Sequence, residues 1–116
     1  MALSVVVTLM LAGSVAPAYA VRYATATSFG FASSPDQFYG EVSSPKAACE
    51  RGRRVRVFRV RPGDDALVGG DRTSSTGQWT VKREVPAARY YAKVLRKVLG
   101  PNRICRRYRS STLFFS

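Results

Sequence analysis

Residues 73–81 read TSSTGQWTV, and in this stretch a turn leads into a short segment of alternating polar and apolar residues. Gly77 can adopt the positive φ that a tight turn requires, because it has no Cβ atom. After the turn, Trp79 and Val81 fall on one face of an extended chain, and Trp79 brings a large apolar surface to that face. The stretch therefore predicts a strand that enters a hydrophobic core directly after a turn.

The same alternation is found on both sides of this stretch. QFYGEVS, residues 37–43, places Phe38 and Val42 on one face, and RVRVFRVR, residues 54–61, is ended by the turn sequence PGDD. RYYAKVL places Tyr90, Ala92 and Val94 together, and the weaker segments ALVGGDRT and RSSTLFFS complete the set. Short alternating segments separated by Gly, Pro, Ser and Asp predict an all-β sandwich of about six or seven strands over residues 37–116. Six aromatic residues are expected in or beside its core, namely Phe38, Phe58, Trp79, Tyr90, Phe114 and Phe115.

Residues 88–99 also support a competing interpretation. Their apolar residues recur at helical spacing from Ala88 to Leu99, with Arg89, Lys93 and other cations on the opposite side, and Gly100 with the following proline would end a helix. A basic amphipathic helix of this kind would bind anionic membranes. A secreted, cationic, membrane-active protein is therefore the first alternative to a sandwich.

The first twenty residues have the layout of a secretory signal peptide. They contain no charged side chain, are apolar from Ala2 to Ala16, and end in the small-x-small triplet Ala18-Tyr19-Ala20. Residues 21–36, rich in Ala, Ser and Thr, are expected to form a flexible lead-in to the domain. In an exported chain an even number of cysteines implies a disulfide, and Cys49 and Cys105 allow one pairing. Such a bridge would stabilise the small domain by about 4 kcal/mol.

The spacing of the core residues resembles that of carboxypeptidase-regulatory-like domains, which are transthyretin-like β-sandwiches. The resemblance covers roughly residues 37–115 and is carried by the following elements in order: Phe38-x-Gly40-x-Val42, Cys49, Val55-x-Val57, Thr73-x-x-x-Gly77-x-Trp79-x-Val81, Tyr90-Tyr91-Ala92-x-Val94 and Cys105. It implies a small module, secreted or attached to the cell surface. It also implies no enzymatic activity, since the family is mostly non-catalytic. Ser74 stands where the family typically carries Asp or Asn.

The residue types leave little material for catalysis. The chain contains no histidine, so the usual base near neutral pH is absent. The seven carboxylates are scattered, and Asp64 and Asp65 lie in a Pro-Gly turn. No glycine-rich loop precedes a helix, and no metal-ligand spacing occurs. We expect a non-enzymatic protein without a metal or another cofactor.

Arginine is the residue type that suggests a function. The chain carries 19 Lys and Arg against 7 Asp and Glu, a net charge of +12. Two runs, RGRRVRVFRVR from Arg51 and RICRRYR from Arg103, would meet around the predicted disulfide. The candidate polyanion surface consists of Arg51, Arg53, Arg54, Arg56, Arg103, Arg106, Arg107 and Arg109. Its expected partners are anionic polymers of the cell envelope, such as teichoic acid, acidic polysaccharide or extracellular DNA, or an anionic membrane surface, bound by charge rather than by base readout.

Two further expectations concern single strands. In RVRVFRVR, Phe58 and Val60 fall on the arginine face and Arg59 on the valine face, so we expect a bulge near Val57 and Phe58 or an edge strand, with all the arginines solvated. Tyr39 and Tyr91 lie opposite the core residues of their strands. If both are exposed on one sheet, they would form a platform for sugar rings, and a carbohydrate-binding module is the second alternative.

Overall fold

The computed structural model describes residues 21–115, which form a small all-β sandwich closed by one disulfide. The predicted signal peptide at residues 1–20 lies outside the described residues. Within residues 21–115 twelve strands follow one another: β1 (Val21–Tyr23), β2 (Ala26–Thr27), β3 (Gly30–Ala32), β4 (Gln37–Ser43), β5 (Arg54–Arg59), β6 (Ala66–Arg72), β7 (Gln78–Lys82), β8 (Ala88–Val94), β9 (Lys97–Gly100), β10 (Arg103–Cys105), β11 (Tyr108–Arg109) and β12 (Leu113–Phe115). A single 3-10 turn, Ala47–Cys49, lies between β4 and β5.

Two sheets enclose the core. The larger sheet has the order β11-β8-β5-β6, and β12 also pairs with β8. In the second sheet β4 is central, with β7 on one side and the consecutive short strands β2 and β3 on the other. A third, small sheet has the order β9-β10-β1, in which β10 and β1 run parallel.

The core consists of side chains from the facing surfaces of the two large sheets. The second sheet contributes Phe38, Val42, Trp79 and Val81, as the alternation predicted. The larger sheet contributes Val55, Val57, Val68, Tyr90, Ala92 and Val94. Trp79 is 2% exposed, and Gly77 before it has a φ of +88°, which confirms the turn and core strand predicted from TSSTGQWTV.

The predicted disulfide is present. Cys49 and Cys105 are bonded, both are fully buried, and their Cα atoms lie 5.5 Å apart. Lys97 of β9 lies opposite Cys105, and Tyr23 of β1 lies opposite it on the other side. The bond therefore joins the small third sheet to the loop that precedes β5.

Several expectations are wrong. Residues 88–99 form β8 and the start of β9 rather than an amphipathic helix, because Tyr90, Ala92 and Val94 enter the core together as alternate residues of a strand. Residues 21–36 are not a flexible lead-in, because β1 pairs with β10 in the small sheet, and β2 and β3 both pair with β4 in the second sheet. Phe114 is 63% exposed at the sheet margin, and Phe58 lies on the outer face of the larger sheet.

The irregularity near Val57 and Phe58 is confirmed in place, but β5 is a central strand and not an edge strand. Against β8 its register is continuous, whereas against β6 the register shifts between Val57 and Phe58, so that Val68 is the extra residue. Inward and outward alternation is kept along β5. Phe58 therefore points outward, and Arg59 stays on the core side, half-buried at the end of the sandwich, where its Nε has no hydrogen-bond partner in the described chain.

Candidate functional site

The outer face of the larger sheet carries a row of cations in direct cross-strand register. Arg109 of β11 lies opposite Lys93 of β8, and Lys93 lies opposite Arg56 of β5. One step along, Arg54 of β5 lies opposite Arg72 of β6. All five side chains are exposed. Directly opposite residues in antiparallel strands have Cβ atoms about 5 Å apart, so like charges repel here. We call Arg54, Arg56, Arg72, Lys93 and Arg109 the basic face.

Two aromatic rings at one end of the basic face are covered by its cations. The rings of Phe58 and Tyr91 stack with their centroids 5.4 Å apart. The guanidinium carbon of Arg109 lies 3.8 Å from the Tyr91 centroid, and the Lys93 Nζ lies 5.4 Å from the Phe58 centroid. Cations over ring faces are attracted by the ring quadrupole, which fixes these two charges in position on the sheet.

One carboxylate touches this end of the face. Tyr91 donates a hydrogen bond of 2.6 Å to Asp65 Oδ2, and the backbone N–H of Arg61 donates to Asp65 Oδ1. Both hydrogen bonds lower the pKa of Asp65, and the bond from Tyr91 has the larger effect. Burial, and then the bond to Asp65, raises the pKa of Tyr91. Asp65 is thus engaged by the tyrosine and by its own turn, and none of the arginine side-chain hydrogen bonds in the described chain ends on a carboxylate.

A second arginine environment lies beside the disulfide, where Arg53 is completely buried. Its Nη1 donates to Thr25 Oγ1 at 3.0 Å and to the Cys49 carbonyl at 2.7 Å. Its Nη2 donates to the carbonyls of Leu95 and Arg106, each at 2.8 Å. The fifth N–H of the guanidinium, on Nε, has no partner in the described chain. Burial lowers the pKa of Arg53. We call Arg53 and these four acceptors the arginine hub.

Lys97 holds the same loop from another side. Its Nζ donates to the carbonyls of Ala48 and Arg51, at 3.0 and 2.8 Å. Burial, and then the nearby positive charges of Arg51 and other arginines, lowers its pKa. Carbonyl oxygens of the loop 47–51 are therefore bound by two cations, and the loop that carries Cys49 is fixed by hydrogen bonds as well as by the disulfide.

The structure divides the eight predicted surface arginines into three groups. Arg54, Arg56 and Arg109 belong to the basic face. Four others are exposed around the disulfide end of the molecule, namely Arg51, Arg103, Arg106 and Arg107. The two arginine runs do meet there, since the Arg53 guanidinium contacts the Arg106 carbonyl. Arg53 itself is a correction, because a side chain with no exposed surface cannot contribute to a docking surface.

The sequence contained a signal for the burial of Arg53. Arg53, Val55 and Val57 are alternate residues, so an extended chain places all three on the core face. Two members of the basic face were missing from the predicted set. Lys93 was assigned to the helix alternative, although it lies between the core residues Ala92 and Val94 of a strand. Arg72 was missed because its strand contains few apolar residues.

The predicted tyrosine platform is wrong. Tyr39 is 46% exposed on the second sheet, whereas Tyr91 is 4% exposed on the larger one, beneath Arg109. The two rings therefore belong to different surfaces, and one of them is covered.

Within residues 21–115 no three His, Cys, Asp or Glu residues lie close enough together to hold a metal ion. No helix in this part of the chain is long and apolar enough to cross a membrane. The chain matches no family model, no curated protein and no solved structure.

Proposed function

We propose that the protein is a non-enzymatic binding module whose basic face docks a phosphodiester polymer. The observation that carries the proposal is the cross-strand row Arg109–Lys93–Arg56, three cations in register on neighbouring strands. Like charges directly opposite one another destabilise a sheet. A bound polyanion would remove this repulsion, because each of its charges would neutralise one cation and release the small counterions condensed on the polymer.

The mode of binding follows from the covered aromatics. Free aromatic faces would stack on bases or sugar rings, but Arg109 and Lys93 cover Tyr91 and Phe58. Contact is therefore made by charged side chains alone, and guanidinium groups match phosphate oxygens in a bidentate geometry. The expected binding is independent of base sequence and falls steeply with salt.

The disulfide indicates an oxidising, non-cytoplasmic environment. Together with the signal-like residues 1–20, it supports the proposal that the module is secreted or associated with the cell envelope. Phosphodiester polymers in that setting are wall teichoic acids and extracellular DNA. The transthyretin-like relationship remains a proposal that rests on the spacing of the core residues and is consistent with the small all-β sandwich.

The test is the affinity for a single-stranded phosphodiester polymer, poly-dT, over a series of salt concentrations. The variant Arg56→Gln/Lys93→Gln/Arg109→Gln removes the row. A single-stranded polymer contributes about 0.7 to the log–log salt slope for each neutralised phosphate, so the slope should decrease in magnitude by about 2. The melting temperature should stay nearly constant or rise, because exposed charges contribute little to stability and these repel one another.

The matched control is Lys82→Gln/Arg83→Gln/Arg89→Gln, which removes the same charge from exposed positions outside the basic face. Its salt slope should equal that of the wild type. If the control and the row variant lose affinity equally, net charge alone explains binding and the proposal is wrong. Parallel titrations with heparin and with anionic phospholipid vesicles identify the alternatives. A clear preference for either over poly-dT would assign the face to acidic polysaccharide or to membranes.

A further inference from the structure

One corner of the basic face lacks a side chain. On β5, Arg54 and Arg56 point outward as alternate residues, and their partners on β6 are Arg72 and Gly70. Three of the four positions in this two-by-two block thus carry arginine, and the fourth carries only hydrogen. A cavity of about 220 Å³ lies at the block, lined by Arg54, Val55, Arg56, Gly70, Asp71 and Arg72.

The glycine keeps this corner open. A Cβ atom at Gly70 would lie 2.8 Å from the Val55 carbonyl oxygen and 3.6 Å from Arg56 Cγ. The first distance is shorter than Cβ contacts in proteins allow, so any other residue would require the backbone of β5 or β6 to move. The close approach of two strand backbones at a glycine also leaves room above it for a ligand.

The three guanidinium groups are available to a ligand. Arg72 Nη1 makes one long bond of 3.4 Å to the Gly52 carbonyl, and Arg54 and Arg56 donate no side-chain hydrogen bond to residues 21–115. Asp71 also lines the cavity, but its Oδ2 accepts the backbone N–H of Thr80 at 2.9 Å. The carboxylate is thus turned toward β7 and does not hydrogen-bond any of the three arginines.

We infer that the corner formed by Arg54, Arg56, Arg72 and Gly70 is a discrete site for one tetrahedral oxyanion group, the terminal phosphate or sulfate of a larger ligand. A carboxylate and an internal phosphodiester each have two free oxygens and fill one guanidinium fork, whereas a terminal phosphate or sulfate has three free oxygens and can accept from several guanidiniums at once. The volume suits such a group with a few waters, since one water takes about 30 Å³. The inference rests on the proposed function and deepens it, because it adds one fixed anchor point to a surface that otherwise binds by charge alone.

The first experiment uses inorganic phosphate as the probe, followed by amide and arginine Nε chemical shifts at constant ionic strength. Phosphate should move the signals of Arg54, Arg56 and Arg72 in a saturable way, and chloride should not. Sulfate in place of phosphate separates the two sources, because phosphate gains a second negative charge as pH rises toward neutrality and sulfate does not. Affinity that increases from pH 5 to pH 7 with phosphate alone would assign the site to phosphate monoesters. Equal affinities for phosphate and sulfate across this range would assign it to the shared oxyanion geometry.

Single substitutions distinguish phosphate binding at the corner from binding by the general positive charge of the basic face. Arg72→Gln should weaken phosphate binding at least fivefold. Lys93→Gln removes the same charge from the same face but outside the corner, and should weaken phosphate binding less than twofold while still weakening poly-dT binding. Arg89→Gln, at the opposite end of β8, is the control and should leave phosphate binding unchanged. Equal losses of phosphate affinity in Arg72→Gln and Lys93→Gln, or equal shifts with chloride and phosphate, would overturn the inference.

These outcomes are distinguishable from those for the polymer. If phosphate binds at the corner but the row variant binds poly-dT as tightly as the wild type does, the oxyanion site is supported and the proposed function is wrong. If the row variant binds poly-dT more weakly than the wild type but phosphate gives no saturable chemical-shift change, the proposed function is supported and the corner is not an oxyanion site.

Discussion

Arg53 and Arg56 are three residues apart in the chain and serve opposite purposes in the fold. Arg53 is completely buried and donates four hydrogen bonds to one hydroxyl and three backbone carbonyls. Arg56 is exposed in a row of like charges and donates no side-chain hydrogen bond to the described chain. An arginine-rich run is therefore not one structural feature. Strand alternation sorts its members into a structural set that points inward and a charged set that points outward.

The physical difference lies in what compensates each charge. A buried guanidinium loses its hydration and must recover that free energy from fixed dipoles, and the arginine hub supplies carbonyls from three separate segments of the chain. The exposed cations keep their hydration, so they contribute little to stability and remain available to a ligand.

Replacing each of the two arginines by methionine should give the largest difference in stability. Arg53→Met leaves the buried Cys49 carbonyl, the buried Thr25 hydroxyl and the part-buried carbonyls of Leu95 and Arg106 without their donor. Each unsatisfied buried group costs about 1–3 kcal/mol. We expect the free energy of unfolding to fall by roughly 5 kcal/mol. Arg56→Met should change it by less than about 0.5 kcal/mol. Urea unfolding of both variants measures the difference.

Arg53→Lys keeps this test informative if the methionine variant does not fold. Lysine retains the charge but cannot span four acceptors with a planar fork, so its stability should lie between those of the wild type and Arg53→Met. A loss below about 1 kcal/mol for Arg53→Met would show that the arginine hub is not a structural requirement.

The next largest effect concerns the disulfide that closes the arginine hub. Cys49→Ala/Cys105→Ala opens a loop with a sequence separation of 56 residues. In the chain-entropy description this costs about 4 kcal/mol. For a domain of this size it corresponds to a melting temperature lower by more than about 15 °C. Mass spectrometry of the native protein after alkylation is the accompanying check, and two alkylated thiols would contradict the bond.

The smallest expected effect on stability comes from the hydrogen bond between Tyr91 and Asp65 at the end of the basic face. The Asp65 pKa is lowered from 3.8, first by the hydrogen bond from Tyr91. A carboxyl with a lowered folded pKa stabilises the protein above its unfolded pKa, and this contribution is lost as pH falls through the folded value. Below pH 3.8 the melting temperature of the wild type should therefore drop toward that of Asp65→Asn.

Tyr91→Phe removes the donor of this bond and should abolish most of the acid-dependent difference. Asp64→Asn, in the same turn, is the control and should follow the wild type. Melting curves from about pH 2 to pH 6 cover the range in which a carboxyl titrates. Identical acid profiles for the wild type and Tyr91→Phe would show that the bond contributes nothing to stability.

The strands that the sequence predicts well are those whose core residues alternate without interruption. β4, with Phe38 and Val42, and β7, with Trp79 and Val81, show this pattern. The N-terminal strands could not be found in this way, because their stability comes from distant partners. Thr27 accepts the Trp79 indole N–H at 2.9 Å, and Thr25 accepts from Arg53, contacts that an Ala-, Ser- and Thr-rich sequence does not reveal.

The candidate site shows the same limit. Arg54, Arg56 and Arg109 could be proposed from their density in the chain, but a charged face is defined by which residues of neighbouring strands are opposite one another. The register that places Arg109, Lys93 and Arg56 in one row is set by the packing of Val94, Ala92 and Val57 in the core. The apolar residues of 88–99 fit both a helical and a strand spacing, and pairing with the neighbouring strands stabilises the strand.

The arginine hub also orders events in time as the chain folds. Its acceptors lie 28, 4, 42 and 53 residues from Arg53 along the sequence. A guanidinium buried with only some of these acceptors would lack compensation, so the hub closes only when Arg106 is present. The hydrogen bonds of Arg53 can therefore be completed only when the residues from Thr25 to Arg106 are all available, which makes the arginine hub a late step of folding.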